Sequence, residues 1–506
     1  MLPTLAAQSR RVRLSLESRA VEPEVGALIA PLARSINAQV LETPLSWVLL
    51  SGDSAWKIKK KVSLPFVDYS TLEARHHYCL EEFRLNKQLA PAMYLGVVPI
   101  GGSPHLPLLD GPGPVLDYAV HMRRLSPGSL FSERLAAQTL SMSDIEDLAV
   151  LLAELHMCAP KAAVARFANP ARRAGSALAA LNGVRPIATP AAARKLEHWL
   201  ITEAESLRPF WEKRHVDGHV RECHGDLHLG NVGSLDARIT VFDRVEFSPA
   251  LRWIDVLDDI AFPIMDLSAH GRDDFAYHLL NTWLEHTGDH DALTGLRFSV
   301  VYRALVRAQV EYLRGSSGLV SAGRYFNTAL AWAHGGNPWL FITTGLPGSG
   351  KTFFSGQLIE RDGAIRIRSD VERKRLSGLH MLDRSLANGL SIYSDSSSAR
   401  TYAHLRSLAR KIMDSGFAVI VDAAFLRQAD RQIFRELAVE AAVPFVIMEC
   451  KASQSVLQQR LIKRRNDASE ATVDTLKELA LVAEPLTKTE SAFSCLPPIS
   501  ILPSRL

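Results

Sequence analysis

Hydrophobic positions along the chain change period several times, and those changes mark out its elements. The first forty residues carry mixed helical patterning. WVLLSGDSAWKIKKKV, starting at Trp47, then places two β-rich runs on either side of Gly52-Asp53, which predicts a hairpin. From Leu72 to Leu89 the pattern is helical and closes before Pro91, and VLDYAVHMRRL at 115–125 predicts a strand leading into a connector. Leu148, Leu151, Leu152 and Leu155 recur at i, i+3, i+4 and i+7, the buried stripe of a helix over 143–156. Residues 160–220 are rich in Ala, Leu and Arg and read as helices. Two short apolar runs bracket CHGDLHLGN, and helical patterning returns over 255–333. HGGNP at 334–338 halts regular structure and is the expected linker. Beyond it WLFITTG, AIRIRSD, FAVIVDAAF and PFVIMEC alternate with helical stretches, which predicts a parallel sheet with helices on its faces.

Composition narrows the class. A length of 506 residues suggests more than one domain, and the linker divides the chain into 1–333 and 338–506. With 47% hydrophobic and 22% charged residues, each part can bury a full core. A net charge of +4 is small for this length and gives no reason to expect nucleic acid or a membrane as partner. Cys79, Cys158, Cys223, Cys450 and Cys495 are dispersed without a CxxC pair, as expected of reduced thiols in a cytoplasmic protein. MLPTLAAQSRRVRL has no signal-peptide core, and no apolar run reaches spanning length. Oligomeric state is left open.

The sharpest motif is Gly345-Leu346-Pro347-Gly348-Ser349-Gly350-Lys351-Thr352, which fits G-x-x-x-x-G-K-[ST] between an apolar strand and a helix. Its glycines let backbone N–H groups curl around phosphate oxygens at a helix N-terminus. Lys351 is then placed for the β- and γ-phosphates and Thr352 for Mg²⁺. Asp422 ends the strand in FAVIVDAAF, where a carboxylate serves the metal or merely caps the strand end. Arg368-Ser369-Asp370 ends another strand. The segment resembles small P-loop kinases acting on metabolites, antibiotics or nucleic-acid ends, and zeta-toxin-type kinases. That resemblance implies Asp370 as catalytic base; the plain alternative is an N-cap for VERKRL. Arg460, Arg464 and Arg465 are either lid arginines that neutralise the transferred phosphoryl group or a solvated basic face.

A second constellation is His224-Gly225-Asp226-Leu227-His228-Leu229-Gly230-Asn231, followed by Val241-Phe242-Asp243. D-x-x-x-x-N and a later Asp match what a kinase needs, a carboxylate for the attacking hydroxyl and an Asn and Asp for metal. The segment resembles the aminoglycoside phosphotransferase family, which carries His-Gly-Asp here. The resemblance implies Asp226 as base and Asn231 and Asp243 as metal ligands, and it takes in Leu155-His156. It also implies Lys57 as the nucleotide lysine, with Lys59 on the same strand face as the alternative. Glu82, or Glu81 one residue earlier, would be its ion-pair partner, and 115–125 the adenine hinge. A Gly-x-Gly-x-x-Gly hairpin is missing, and Phe-Asp-Arg stands where protein kinases have Asp-Phe-Gly. His224 and His228 alternatively read as a metal pair. Asp255, Asp258, Asp259 and Asp266 read as helix-capping and surface charge, or as a wall for a cationic substrate.

The two halves together resemble bacterial proteins called bifunctional aminoglycoside phosphotransferase/ATP-binding proteins, on RSDVERKRL, IVDAAF and YLGVVPI among other segments. The expected fold class is therefore α/β and α+β in two domains. The N-terminal part is expected to be protein-kinase-like and bilobal, the C-terminal part a P-loop NTPase sheet with helices on both faces. The implied activity is ATP- and Mg²⁺-dependent transfer of the γ-phosphoryl group to a small-molecule hydroxyl, with two nucleotide sites. The rival expectations are a nucleotide-sensing module in one half, or a P-loop ATPase switch.

Overall fold

A computed structural model describes residues 23–64, 67–161, 170–385, 392–465 and 467–496. The segment MLPTLAAQSRRVRL and its signal-peptide reading lie outside the described residues. The chain is mixed α/β and divides into two compact units, Met1–His270 with Leu296–Ala333, and Gly271–Gly295 with His334–Leu506. The expected linker thus marks one crossing, but residues 271–295 go with the P-loop unit rather than with the first domain.

In the first unit, α1 (Pro23–Ser35) precedes β1 (Gln39–Glu42), β2 (Ser46–Ser51) and β3 (Ser54–Lys59). A short ladder joins β4 (Ser63–Leu64) to β5 (Val67–Asp68), and α2 (Leu72–Leu89) follows, capped by Thr71 accepting from the Ala74 N–H. With β6 (Tyr94–Ser103), β7 (Leu106–Leu109) and β8 (Asp117–Arg123) the sheet runs β1-β2-β3-β8-β6-β7, antiparallel throughout. Strand alternation sends Leu49 and Ile58 to a cluster with Ile29 and Leu32 of α1. Ala55, Val120 and Met122 go to the other face, with Cys79 of α2. Lys57 and Lys59, in step with Ala55, therefore point to the α2 side.

Helices dominate the rest of this unit: α3 (Phe131–Ala136), α4 (Met142–Cys158), α5 (Pro170–Val184), α6 (Pro190–Ser206) and α7 (Arg208–Val216). Then β9 (Val220–Glu222), the hairpin β10 (Val232–Leu235) and β11 (Arg238–Val241), α8 (Pro249–Arg252) and β12 (Trp253–Asp255) bracket the polar motif. The chain continues through α9 (Val256–Ala269), α10 (Asp273–Thr287), α11 (Leu293–Leu313) and α12 (Leu319–His334).

The second unit is built on β13 (Leu340–Thr344), all five residues of which are buried. It continues with α13 (Lys351–Asp362), β14 (Ile365–Arg368), α14 (Ser369–Leu376), α15 (Asp395–Asp414), β15 (Val419–Asp422), α16 (Gln428–Glu440) and β16 (Phe445–Glu449). Helices α17 (Gln454–Lys463), α18 (Val473–Leu481) and α19 (Lys488–Ser491) lead to β17 (Ser494–Cys495). The sheet is parallel, in the order β14-β15-β13-β16-β17. One face packs Phe341, Ile420, Val446 and Met448 on Leu358 and Ile359 of α13. Helix α10 belongs here because it covers the exposed edge of β14. Asn281 donates from Nδ2 to the Ala364 carbonyl at 3.0 Å and accepts the Arg366 N–H at 2.7 Å, and Glu285 pairs with Arg366 at 2.8 Å. An edge strand left with unpaired backbone groups is a liability, and an adjoining helix removes it. Among the described residues no helix is long and apolar enough to cross a membrane.

Candidate functional sites

The P-loop joins β13 to α13. Gly345, Gly348 and Gly350 have φ of +147°, +82° and +99°. At Gly345 a Cβ would sit 2.3 Å from the Cys450 carbonyl oxygen, so no other residue fits. The Ser349 hydroxyl is buried without a partner among the described residues. Lys351 folds back, donating to the Gly345 and Leu346 carbonyls at 2.9 and 3.1 Å, and burial pulls its ammonium below the ordinary lysine range. These carbonyl bonds can be exchanged for phosphate oxygens at the helix N-terminus. The Thr352 hydroxyl donates to Asp422 Oδ2 at 2.9 Å, which brings both proposed metal ligands to one point. The orphaned serine hydroxyl, the Cβ-excluding loop and this oxygen pair together fit a nucleotide phosphate with a hard divalent cation.

Parallel register sets Arg368 opposite Asp422, so Asp370 lies two residues beyond the strand end, in the first turn of α14. Arg368, rather than Asp370, occupies the N-cap position. Arg368 is held by Asp467 at 2.8 Å and by Glu285 at 3.6 Å. Of the lid candidates, Arg460 donates to the Gly348 carbonyl at 2.9 Å. Arg464 pairs with Asp467 at 3.4 Å. Arg465 instead binds backbone carbonyls near it in sequence, those of Ile462 and Arg464.

In the first unit Lys57 Nζ lies 3.0 Å from Glu82 and 2.5 Å from Asp243. Lys59 is deeper, paired with Glu82 at 2.7 Å and with Glu246 at 2.5 Å, where the Tyr69 hydroxyl also donates. Burial works against both ammonium charges, but the surrounding carboxylates raise both lysines above their ordinary range. Lys57 is the more accessible of the two, at 14% against 1% exposure. Glu81 faces elsewhere, towards Arg84 and Arg252. Asp243 has φ of +64°, and its N–H donates to the Tyr94 hydroxyl at 3.2 Å. Asn231 donates from Nδ2 to the Asp226 carbonyl at 2.9 Å, leaving its Oδ1 as the atom a metal would take. The carboxylates of Asp226 and Asp243 are both partly exposed, as groups meeting substrate and cation must be.

The aspartate run is neither surface charge nor an acidic wall. All four members are buried. Asp259 accepts the His224 N–H at 2.9 Å, the Gly225 N–H at 2.8 Å and His156 Nε2 at 3.2 Å. Burial opposes its charge, yet these donors hold it well below the carboxylate range. Asp266 accepts the Leu229 N–H at 2.9 Å and the Tyr325 hydroxyl at 2.7 Å. Asp255 caps α9 and pairs with Arg214, and Asp258 binds Arg173 and Ser299. Two of the four thus grip the 224–231 loop from behind. Gly225 has φ of +88° and a Cβ there would meet the Leu251 carbonyl at 2.6 Å, so the loop can turn only at glycine.

The histidines make no metal pair. His224 Nε2 meets the Phe242 carbonyl at 2.8 Å, and His228 Nδ1 accepts the Gly230 N–H at 3.0 Å. His156, Cys223 and Asp259 do lie close enough to share an ion, but the hydrogen bonds just described already use the carboxylate. Glu246, Tyr69 and Asp259 carry roles that the sequence motifs do not assign. The buried-helix run LRWIDVLDDIAFPIMDL held a usable signal, since acids within so apolar a stretch must have partners.

Residues 340–486 match the profile of the family described as AAA domain. Uncharacterized proteins of Mycobacterium tuberculosis and Mycobacterium bovis are 29% identical over 453 residues, covering 87% of this chain and 89% of theirs. Among solved structures, a choline kinase from Cryptosporidium parvum covers 59% of this chain and 88% of its own at 10% identity and a TM-score of 0.38. A gluconokinase from Sinorhizobium meliloti covers 32% and 82% at 19% identity and a TM-score of 0.25.

Proposed function

We propose that the chain is a cytoplasmic, ATP-dependent phosphotransferase with a nucleotide site in each unit, passing the γ-phosphoryl group to a hydroxyl of a small molecule. The observation that carries this reading is the Thr352–Asp422 contact beside a P-loop whose lysine is free to exchange its carbonyl partners. Lys351 and the loop N–H groups bind and orient the phosphates. Arg460 and Arg464 stand on the lid side to offset charge on the transferred group. Asp370 orients the acceptor hydroxyl and takes its proton as the acceptor oxygen bonds to phosphorus. The β–γ bridging oxygen leaves with the electron pair as ADP. In the first unit Lys57, held by Glu82, takes the nucleotide phosphates, and Asp226 does for its acceptor what Asp370 does in the other unit. Mg²⁺ held by Thr352 and Asp422, or by Asn231 and Asp243, supplies charge neutralisation at the phosphates. The aminoglycoside-kinase resemblance of its motifs supports a kinase-like reading of the first unit and supplies no acceptor.

The test is transfer of labelled γ-phosphate to a panel of hydroxyl-bearing metabolites by wild type, Asp226→Asn and Lys351→Ala. Loss in one variant assigns the working site. Lys351-dependent hydrolysis with no labelled acceptor would replace the phosphotransferase reading with an ATPase switch.

A further inference from the structure

Helix α14 carries three cations in succession, and two of them have carboxylate partners. Lys374 lies 3.3 Å from Glu470, and Arg375 pairs with Glu372. Arg373 has no such partner among the described residues, although it is only 7% exposed. Its Nη1 donates to the Ile392 carbonyl and the Ser398 hydroxyl, each at 3.1 Å, and its Nε has no acceptor among the described residues. A buried guanidinium facing only neutral oxygens, with one N–H unmatched, is costly. Such a group calls for an explanation in a ligand or an ion.

Its place in the unit suggests which. Asp370 and Arg373 are three residues apart on one helix, so they share a face with Cβ atoms about 5–6 Å apart. Both act electrostatically on the same two phenols, Tyr393 and Tyr402. The Tyr393 ring lies 5.0 Å over the guanidinium and is itself 48% exposed, so it stands between Arg373 and solvent. Arg368, the other arginine beside Asp370, is already neutralised by Asp467. An anion arriving with the acceptor therefore finds a cation with no carboxylate ion pair among the described residues, set one helical turn from the base.

We infer that Arg373 selects the acceptor of the P-loop site, receiving a carboxylate or phosphate group on the same small molecule whose hydroxyl Asp370 deprotonates. The inference rests on the phosphotransferase reading of that site. A planar guanidinium takes either anion with two parallel hydrogen bonds, and the spacing to Asp370 puts the reacting hydroxyl a few bonds from the acidic group. Polyol acids and sugar phosphates meet that description. Neutral polyols and polycationic amines do not.

The experiment uses the full chain carrying Asp226→Asn, which silences the first unit, with labelled ATP and acceptors in matched pairs. Gluconate is set against sorbitol, glycerate and glycerol 3-phosphate against glycerol. The expected result is kcat/KM at least 100-fold higher for an anionic member than for its neutral counterpart, with the carboxylate and phosphate arms telling the two anions apart. Arg373→Gln is expected to raise KM for that acceptor about 100-fold and leave KM for ATP unchanged, with Arg373→Lys intermediate. Should Arg373→Gln fail to fold, the protein without it, saturated with a non-hydrolysable ATP analogue, is expected to gain thermal stability from the preferred acid and not from its neutral partner. Lys351-dependent transfer that favours neutral acceptors, or an anionic acceptor whose KM ignores Arg373→Gln, overturns the inference while leaving the phosphotransferase standing. Transfer to no acceptor overturns both.

Discussion

Asp259 offers the most direct test of how the first unit holds its 224–231 loop. Asp259→Ala removes the acceptor for the His224 and Gly225 N–H groups and for His156 Nε2, at 2.9, 2.8 and 3.2 Å. Each buried backbone donor left unmatched costs about 1–3 kcal/mol, so the two together cost about 2–6 kcal/mol. Relaxation offers little relief, because Gly225 is fixed in a left-handed conformation against the Leu251 carbonyl. Native-state hydrogen exchange reads this locally, since exchange rates follow the free energy of opening. At about 1.4 kcal/mol per decade, peptides covering 220–231 are expected to exchange from about 30-fold to about 10⁴-fold faster. Peptides covering 419–425, in the other unit, serve as the internal control. Phosphoryl transfer at the first site is expected to fall with the loop. Asp226→Asn is the contrasting variant: its carboxylate is 42% exposed, so transfer is lost while exchange stays as in wild type. A change below about fivefold for Asp259→Ala would refute the claim that this carboxylate organises the loop.

Other outcomes follow from the same geometry. Gly345→Ala must place a Cβ against the Cys450 carbonyl at 2.3 Å, and titration calorimetry is expected to show Mg·ATP binding at the P-loop weakened at least tenfold. Glu82→Gln removes the carboxylate that two buried lysines share, leaving each with one acidic partner, and is expected to cost about 3–5 kcal/mol in denaturant unfolding of the first unit, against under about 1 kcal/mol for the more exposed Glu81→Gln. Burial opposes the charge of Glu372, but His404, His290 and Arg375 hold its carboxyl down from 4.5 to about 2. A depressed folded value means its stabilisation is complete above about pH 4.5 and lost as pH falls towards 2. That contribution, about 3 kcal/mol, should disappear from the acid limb of the denaturation midpoint in Glu372→Gln. Kanamycin is expected to receive no label at the first site. The four aspartates of the expected wall for a cationic substrate are buried and engaged, and Arg307 lies within electrostatic reach of Asp226.

Much of this was legible in residues alone. Spacing placed Gly345–Thr352 between a strand and a helix, and the helical period over 148–155 belongs to α4, although its buried face runs through Ile145, Leu148, Ala149 and Leu152 and leaves Leu151 and Leu155 half-buried. The Trp47 and Trp56 runs form the hairpin of β2 and β3. Those are local properties: backbone freedom at glycine, side-chain period and turn chemistry act over a few residues and leave their mark in sequence.

Partnership is another matter, because it joins residues distant along the chain. The resemblance named Glu82 for one lysine, but nothing near Lys57 or Lys59 told that it would serve both while Glu246, 187 residues from Lys59, gave the deeper lysine a second carboxylate. Nor did 271–295 announce that Asn281 would complete the edge of β14. The aspartates of 255–266 looked like solvent-facing charge, since single-residue polarity says nothing about whether a donor waits inside. Only the folded chain brings the His224 and Gly225 N–H groups to Asp259, and leaves the Nε of buried Arg373 without an acceptor among the described residues. Sequence sets what each residue is able to do; the tertiary structure decides which of its hydrogen-bonding and charged groups are matched, and in a low-dielectric interior that matching carries the energy.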